Sequence, residues 1–170
     1  MTARLLVWLA AVSLIPAFAQ TLPATEFQTL AGTKLTLPGG AGERAALFIV
    51  GFSHASSKPT SAWSKQLDKD CAETGTVCYT VAVLQDVPRL VRGMVISGIR
   101  SGIPKEKRNR FLILLHEEEV WKKLCGFSDA DGAYLLLVSR TGQILWKWAG
   151  PADGASLSAA RERLRAAAQN

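Results

Sequence analysis

Thiol and imidazole chemistry come first in this sequence, because it holds three cysteines, Cys71, Cys78 and Cys125, and two histidines, His54 and His116. A thiol exchanges disulfides rapidly only when its pKa is lowered, as at a helix N-terminus or in a CxxC pair. Cys71 and Cys78 bracket the segment CAETGTVC and fall at a predicted helix end and in a predicted strand, where nothing activates either. The spacing suits a structural bridge, and closing so short a loop stabilises a fold by roughly 2 to 3 kcal/mol. Cys125 sits between Leu124 and Gly126 at another predicted helix end, as a small buried thiol. The rival reading is a thiol-disulfide oxidoreductase that uses Cys71, Cys78 or Cys125.

Other chemistries find less to work with. His54 and His116 could bring imidazole toward a thiolate, but no paired metal-ligand spacing accompanies them, so both are expected to be water-facing loop residues with no metal or cofactor. Ser53 and His54 are neighbours, yet no GxSxG elbow exists to make a nucleophile of a serine. No GxxxxGK[ST] or GxGxxG occurs, and the glycines of LPGGAG lie in a turn before a strand, so nucleotide binding has no support. The run Glu117 to Glu119 opens a predicted helix, where carboxylates serve the helix dipole.

The first 19 residues read as a secretory leader: a basic start, the apolar run LLVWLAAVSLIPAF and the small-residue step Ala17-Phe18-Ala19. Cleavage there leaves a periplasmic or secreted chain, residues 20–170, in a compartment where disulfides persist. With 48% apolar residues and no internal period, that chain is one globular domain. The full sequence's net charge of +6, or +5 without the leader, is concentrated. Residues 89 to 110 hold Arg89, Arg92, Arg100, Lys105, Lys107, Arg108 and Arg110 against Glu106 alone, so that segment carries +6 and the leader's Arg4 offsets a remainder of −1. On a helix, Arg89, Arg92 and Arg100 share an arc of about 80°, opposite Leu90, Val91, Met94, Val95 and Ile99. Ile96 falls inside the arginine arc and is expected to be exposed among the charges. These basic residues and Ile96 form the candidate partner surface, with an anionic membrane or an acidic protein as partner. Gly93 and Gly98 weaken the helix and would permit close approach or bending. Nucleic acid is excluded by the compartment and by the lack of an aromatic-interleaved basic platform.

Positioning falls to alternating elements. LFIV (47–50), TVCYTVAVL (76–84) and RFLILL (110–115) are continuous apolar runs typical of buried strands. Between them lie a helix from about Pro59, with Trp63 and Leu67 on one face, and a second from Pro88 to about Ser101. EEVWKKLCG is a short third helix. AYLLLV and QILWKW then form a hairpin with Gly142 in the turn, and Ser156 caps a last helix that docks through Leu157, Ala160, Leu164 and Ala168. The β-α-β-α-β-α-β-β-α order predicts a three-layer α/β domain with a mixed central sheet, matching a thioredoxin-like fold.

The stretch from IRSGIPKEKRNRFLILL through GAYLLLVSRTGQILWKWAG resembles the mitochondrial ATP synthase assembly factor ten family, within the thioredoxin-like superfamily. The resemblance rests on Ile103, Pro104, Arg108, Arg110 and Phe111, on Tyr134, and on Trp148-Ala149-Gly150, with Phe52, Ser53 and Trp63 upstream. This hairpin adds Trp146 and Lys147 beside the expected single tryptophan. The resemblance implies a chaperone-like assembly factor whose client is a membrane protein complex. A redox thioredoxin carries CxxC where its first long helix begins; here the junction reads GFSHASSKPTSAW, so Ser53, His54, Ser56, Ser57 and Trp63 mark a degenerate active-site loop. A serine hydroxyl cannot carry electrons as a thiolate does. The position of the usual cis-proline is taken by Gly132 or Ala133. The expected function is therefore a non-catalytic binding or assembly role at a membrane face.

Overall fold

The computed structural model describes residues 20–39 and 44–169. The predicted leader, residues 1–19, lies outside them. Strands β1 (Thr25–Thr29) and β2 (Lys34–Leu37) form a hairpin that precedes the predicted elements. There follow β3 (Ala46–Gly51), α1 (Ser57–Thr74), β4 (Val77–Val83), α2 (Arg89–Gly102), a 3-10 turn (Lys105–Arg110), β5 (Phe111–Leu114) and α3 (Glu118–Cys125). The chain closes with β6 (Tyr134–Val138), β7 (Ile144–Ala149) and α4 (Gly154–Ala168).

The seven strands form one sheet in the order β2-β1-β5-β4-β3-β6-β7. β3, β4 and β5 run parallel, and β6, β7, β1 and β2 extend the sheet with antiparallel pairings on either side. Strands covered on both faces need apolar side chains in both directions, and every residue of β3 and of its antiparallel neighbour β6 is buried. On one face, Leu47, Ile49, Leu135 and Leu137 meet Trp63, Leu67 and Cys71 of α1 and Leu157, Ala160 and Leu164 of α4. On the other, Phe48, Val50, Leu112, Leu114 and Leu136 meet Trp121 and Leu124 of α3 and Phe27 of β1. The Trp121 ring stands edge-on to Phe27 and Phe48 at 5.4 and 5.6 Å.

Two details of the last helix differ from the sequence reading. Its N-cap is Asp153, not Ser156: the Asp153 carboxylate accepts from the Ser156 amide at 2.8 Å and the Ser156 hydroxyl accepts from the Asp153 amide at 2.9 Å. Ser156 is thus the third residue of a reciprocal capping box, so the helix starts one position after Asp153. Ala168 is exposed, while Ala167 packs on the core, because the helix face has rotated by one residue at its end.

Candidate functional site

β3 delivers the chain to the start of α1 at Gly51. A side chain there has no room, since a Cβ would collide with the Ser56 hydroxyl and press on Thr60. The junction is closed by its own serines. The Ser53 amide donates to Ser56 Oγ at 3.3 Å, the Ser56 amide to Ser53 Oγ at 3.1 Å, and the Ser56 hydroxyl to the Ser53 carbonyl at 2.7 Å. The Ser57 and Lys58 amides turn back to the carbonyls of His54 and Ala55. Helix amides that would stabilise a thiolate are therefore engaged locally. Ser56 is buried, His54, Ala55 and Ser57 are exposed, and buried Trp63 donates its indole N–H to the Gly150 carbonyl at 2.9 Å.

Ser53 has a further partner that the sequence reading did not find. Its hydroxyl donates to Asp131 Oδ1 at 2.8 Å across 78 residues. Asp131 is held in place by the loop before β6, where the Asp131 amide donates to Asp129 Oδ1 and the Tyr134 hydroxyl accepts the Ser128 and Asp129 amides. The Tyr134 ring belongs to a cluster with Phe52 and Phe127, at centroid distances of 5.0 to 5.9 Å. The segment SDADG, with its spaced aspartates and glycine, was the available signal for this loop. The position directly before β6 is Ala133, fully buried.

The sulfur atoms lie elsewhere. Cys71 and Cys78 are bridged, with Cα atoms 6.1 Å apart, joining the last turns of α1 to the start of β4. Fifteen helical residues separate Cys71 from Ser56, about 22 Å along the axis, so the bridge is at the opposite end of α1 from the serine junction. Cys71 is buried. Cys125 is a free, buried thiol at the end of α3, and burial pushes its pKa up to about 12, with a small opposing effect from Lys147. A thiol held so far above neutrality is neither nucleophile nor electron carrier.

Among the described residues no group of three or more His, Cys, Asp or Glu side chains is gathered closely enough to hold a metal ion. Glu118 and Glu119 occupy the first turn of α3 and both reach Lys122, at 2.9 and 3.0 Å.

The basic segment is organised differently from the sequence expectation. The arginine side of α2 faces the protein: Arg92 donates to the carbonyls of Gln85 and Val87, Arg100 to that of Leu30 at 2.9 Å, and Arg108 to those of Arg100 and Ile103. Ile96 is not exposed among charges but half-buried with Val95, Ile99 and Ile103 against Leu30, Leu84 and Ile113. The physical reason is that Ile96 inside the arginine arc and Ile99 about 20° beyond its edge turn that side of the helix to the core, with Ile103 just past the helix end, while long arginine stems let the guanidinium groups reach carbonyl oxygens at the rim. Leu90, Val91 and Met94 are consequently turned to solvent. Gly93 and Gly98 allow no close approach to any described residue, since a Cβ at either would meet open space. Lys107 pairs with Asp68 of α1 at 2.8 Å; Arg89, Lys105 and Arg110 are exposed.

Neither a protein-family model nor a curated protein sequence matches the chain. Solved structures do. The exposed lipoprotein thioredoxin of Streptococcus pneumoniae aligns with a TM-score of 0.58 at 12% identity, covering 82% of this chain and 98% of that one. The fold is thioredoxin-like. BsSco, a member of the Sco family of cytochrome c oxidase assembly proteins, aligns with a TM-score of 0.60 at 12% identity over 89% of this chain and 95% of its own. The thioredoxin domain of a thiol-disulfide oxidoreductase from Bacteroides vulgatus gives 0.55 at 16% identity, over 85% and 95%. Nothing in these similarities points to the ATP synthase assembly factors in particular. Within this thioredoxin-like fold, the junction between β3 and α1 and the loop before β6 meet through Ser53 and Asp131, and their neighbours Phe52 and Tyr134 stand edge to face at 5.5 Å.

Proposed function

We propose that this protein is an exported, thioredoxin-like binding factor without dithiol chemistry, which works at a membrane face and helps a membrane protein complex assemble. The observation that carries the reading is the serine junction: the helix start that would activate a thiol holds Ser53 and Ser56 in mutual hydrogen bonds. The cysteines lie in a bridge at the far end of α1, with Cys71 buried and Cys78 partly buried, or in the buried Cys125 thiol with its pKa pushed up to about 12. A bridge of this kind suits an oxidising compartment, in keeping with the predicted leader. The client class comes from the resemblance to the assembly factor family, and the exposed apolar side of α2 supplies a surface suited to a membrane face.

The test is a photo-crosslinking residue at His54 in the native host, compared between the wild type and the triple variant C71A/C78A/C125A. The reading expects the same membrane-complex subunit to be captured in both, with complex assembly retained by the variant. Loss of assembly in a variant that is still folded, or trapping of a mixed disulfide between Cys71 or Cys78 and a client, would overturn it in favour of thiol exchange.

A further inference from the structure

We propose that the outward face of α2 is a docking surface for an anionic lipid bilayer, with Leu90, Val91 and Met94 entering the acyl boundary and Arg89 and Lys105 meeting headgroups. This deepens the reading above by naming the surface that would face the membrane.

Three observations converge. The first is exposure: Leu90 is 98% exposed, Met94 77% and Val91 42%, and no residue of α2 is fully buried. At 100° per residue Leu90 and Met94 stand about 40° apart, one turn from each other on the same side, so they form a single apolar knob. The second is charge. Arg92, Arg100 and Arg108 give their hydrogen bonds to carbonyl oxygens, which satisfies the donors and leaves the positive charges uncompensated. Of the seven basic residues between 89 and 110, Lys107 is the one with a carboxylate partner among the described residues. An apolar knob therefore projects from a cationic base, the pairing of features by which interfacial helices hold anionic membranes.

The third observation selects the occupant. Leu90 and Met94 stand out from α2 with Gly93, Ser97, Gly98 and Ser101 beside them, all exposed. A folded partner would have to provide pockets for these side chains beside acidic groups for Arg89 and Lys105, whereas an anionic bilayer supplies both an apolar interior and negative headgroups. A second copy would bring two like-charged segments face to face, which electrostatics opposes. The first turns of α1 and α2 both follow the carboxyl ends of the parallel strands β3 and β4, so a bilayer at Leu90 lies at the same end of the sheet as the serine junction.

The test uses the protein as purified from its producing cells, with an environment-sensitive fluorophore on Met94→Cys or, as a control on the far side of α4, on Arg163→Cys. Cys125 is buried and the other two cysteines are bridged, so labelling is confined to the new thiol. On vesicles with a third phosphatidylglycerol, the label at 94 is expected to shift to the blue and to be quenched by shallow nitroxide lipids, while that at 163 does neither. L90Q/M94Q should weaken partitioning at least tenfold and R89Q or K105Q about fivefold each, with unchanged thermal midpoints. Equal response of both labels, equal binding to neutral vesicles, or insensitivity to L90Q/M94Q would overturn the proposal. So would a concentration-dependent dimer, or binding of an acidic protein, that L90Q/M94Q abolishes while vesicle binding is absent. Such failure leaves the absence of dithiol exchange standing, and a positive exchange assay would remove that claim without touching this one.

Discussion

Reducing the bridge between Cys71 and Cys78 should cost stability and nothing else. The bridge closes a loop with a sequence separation of 7, and the chain-entropy relation gives roughly 2.5 kcal/mol for so short a loop at 25 °C. In a domain of about 150 residues, that lowers the thermal midpoint by about 5 to 10 °C. The fold itself should survive, because α1 is also held by buried Trp63 and Leu67 and by the contact of Asp70 with Arg161 of α4 at 3.1 Å. Urea titrations of the oxidised and reduced wild type, followed by circular dichroism and by tryptophan fluorescence, measure the difference directly. C71A/C78A should match the reduced protein to within the small loss of buried sulfur contacts. A reduced protein whose stability lies within about 0.5 kcal/mol of the oxidised one would refute the structural role and mark the pair as one free to cycle.

Further outcomes follow from individual sites. Native Cys125 should resist alkylation by iodoacetamide at pH 8 about a thousandfold more than an ordinary thiol and react fully once the chain is unfolded, since its pKa is raised from 9.0 to about 12. The native state then keeps this proton where the unfolded chain loses it, so stability falls as pH rises above the ordinary thiol value. The Asp153 carboxyl is held below its ordinary pKa by the Ser156 amide and hydroxyl. Its cap contributes stability above the unfolded carboxyl value and loses it as pH falls through the lowered one, so D153A should lower the thermal midpoint at neutral pH and D153N should largely retain it, as scanning calorimetry would show. Gly51→Ala should destabilise by about 1 to 3 kcal/mol in urea titrations, because its methyl group would displace Ser56 from the junction.

How far the sequence carried the account differs from element to element. β3, β5 and β6 were legible because buried strands are continuous apolar runs; β4 was legible as a strand but is buried on one face only, Cys78, Thr80 and Ala82 being partly exposed, and the order of elements pointed to the fold. The β1 and β2 hairpin was not, because its inward positions include Thr25 and Thr29, whose hydroxyls hide the alternation that Phe27 alone signals. The bridge was legible from spacing, and the missing CxxC from plain inspection. The contact of Ser53 with Asp131 was not, since it joins residues brought together only when β6 lies beside β3. The facing of α2 was misread for an instructive reason: arginine was counted as a solvent residue, but a half-buried guanidinium can end on carbonyl oxygens while Ile96 within the arc, Ile99 beside it and Ile103 past the helix end anchor the helix.

The central claim is that this thioredoxin-like domain carries out no dithiol exchange, and reduction of insulin by dithiothreitol tests it most directly. With the purified protein at micromolar concentration, precipitation of the insulin B chain should proceed at the rate set by dithiothreitol alone, and C71A/C78A should leave that rate unchanged. Acceleration that grows with protein concentration and disappears in C71A/C78A or C125A would contradict the account.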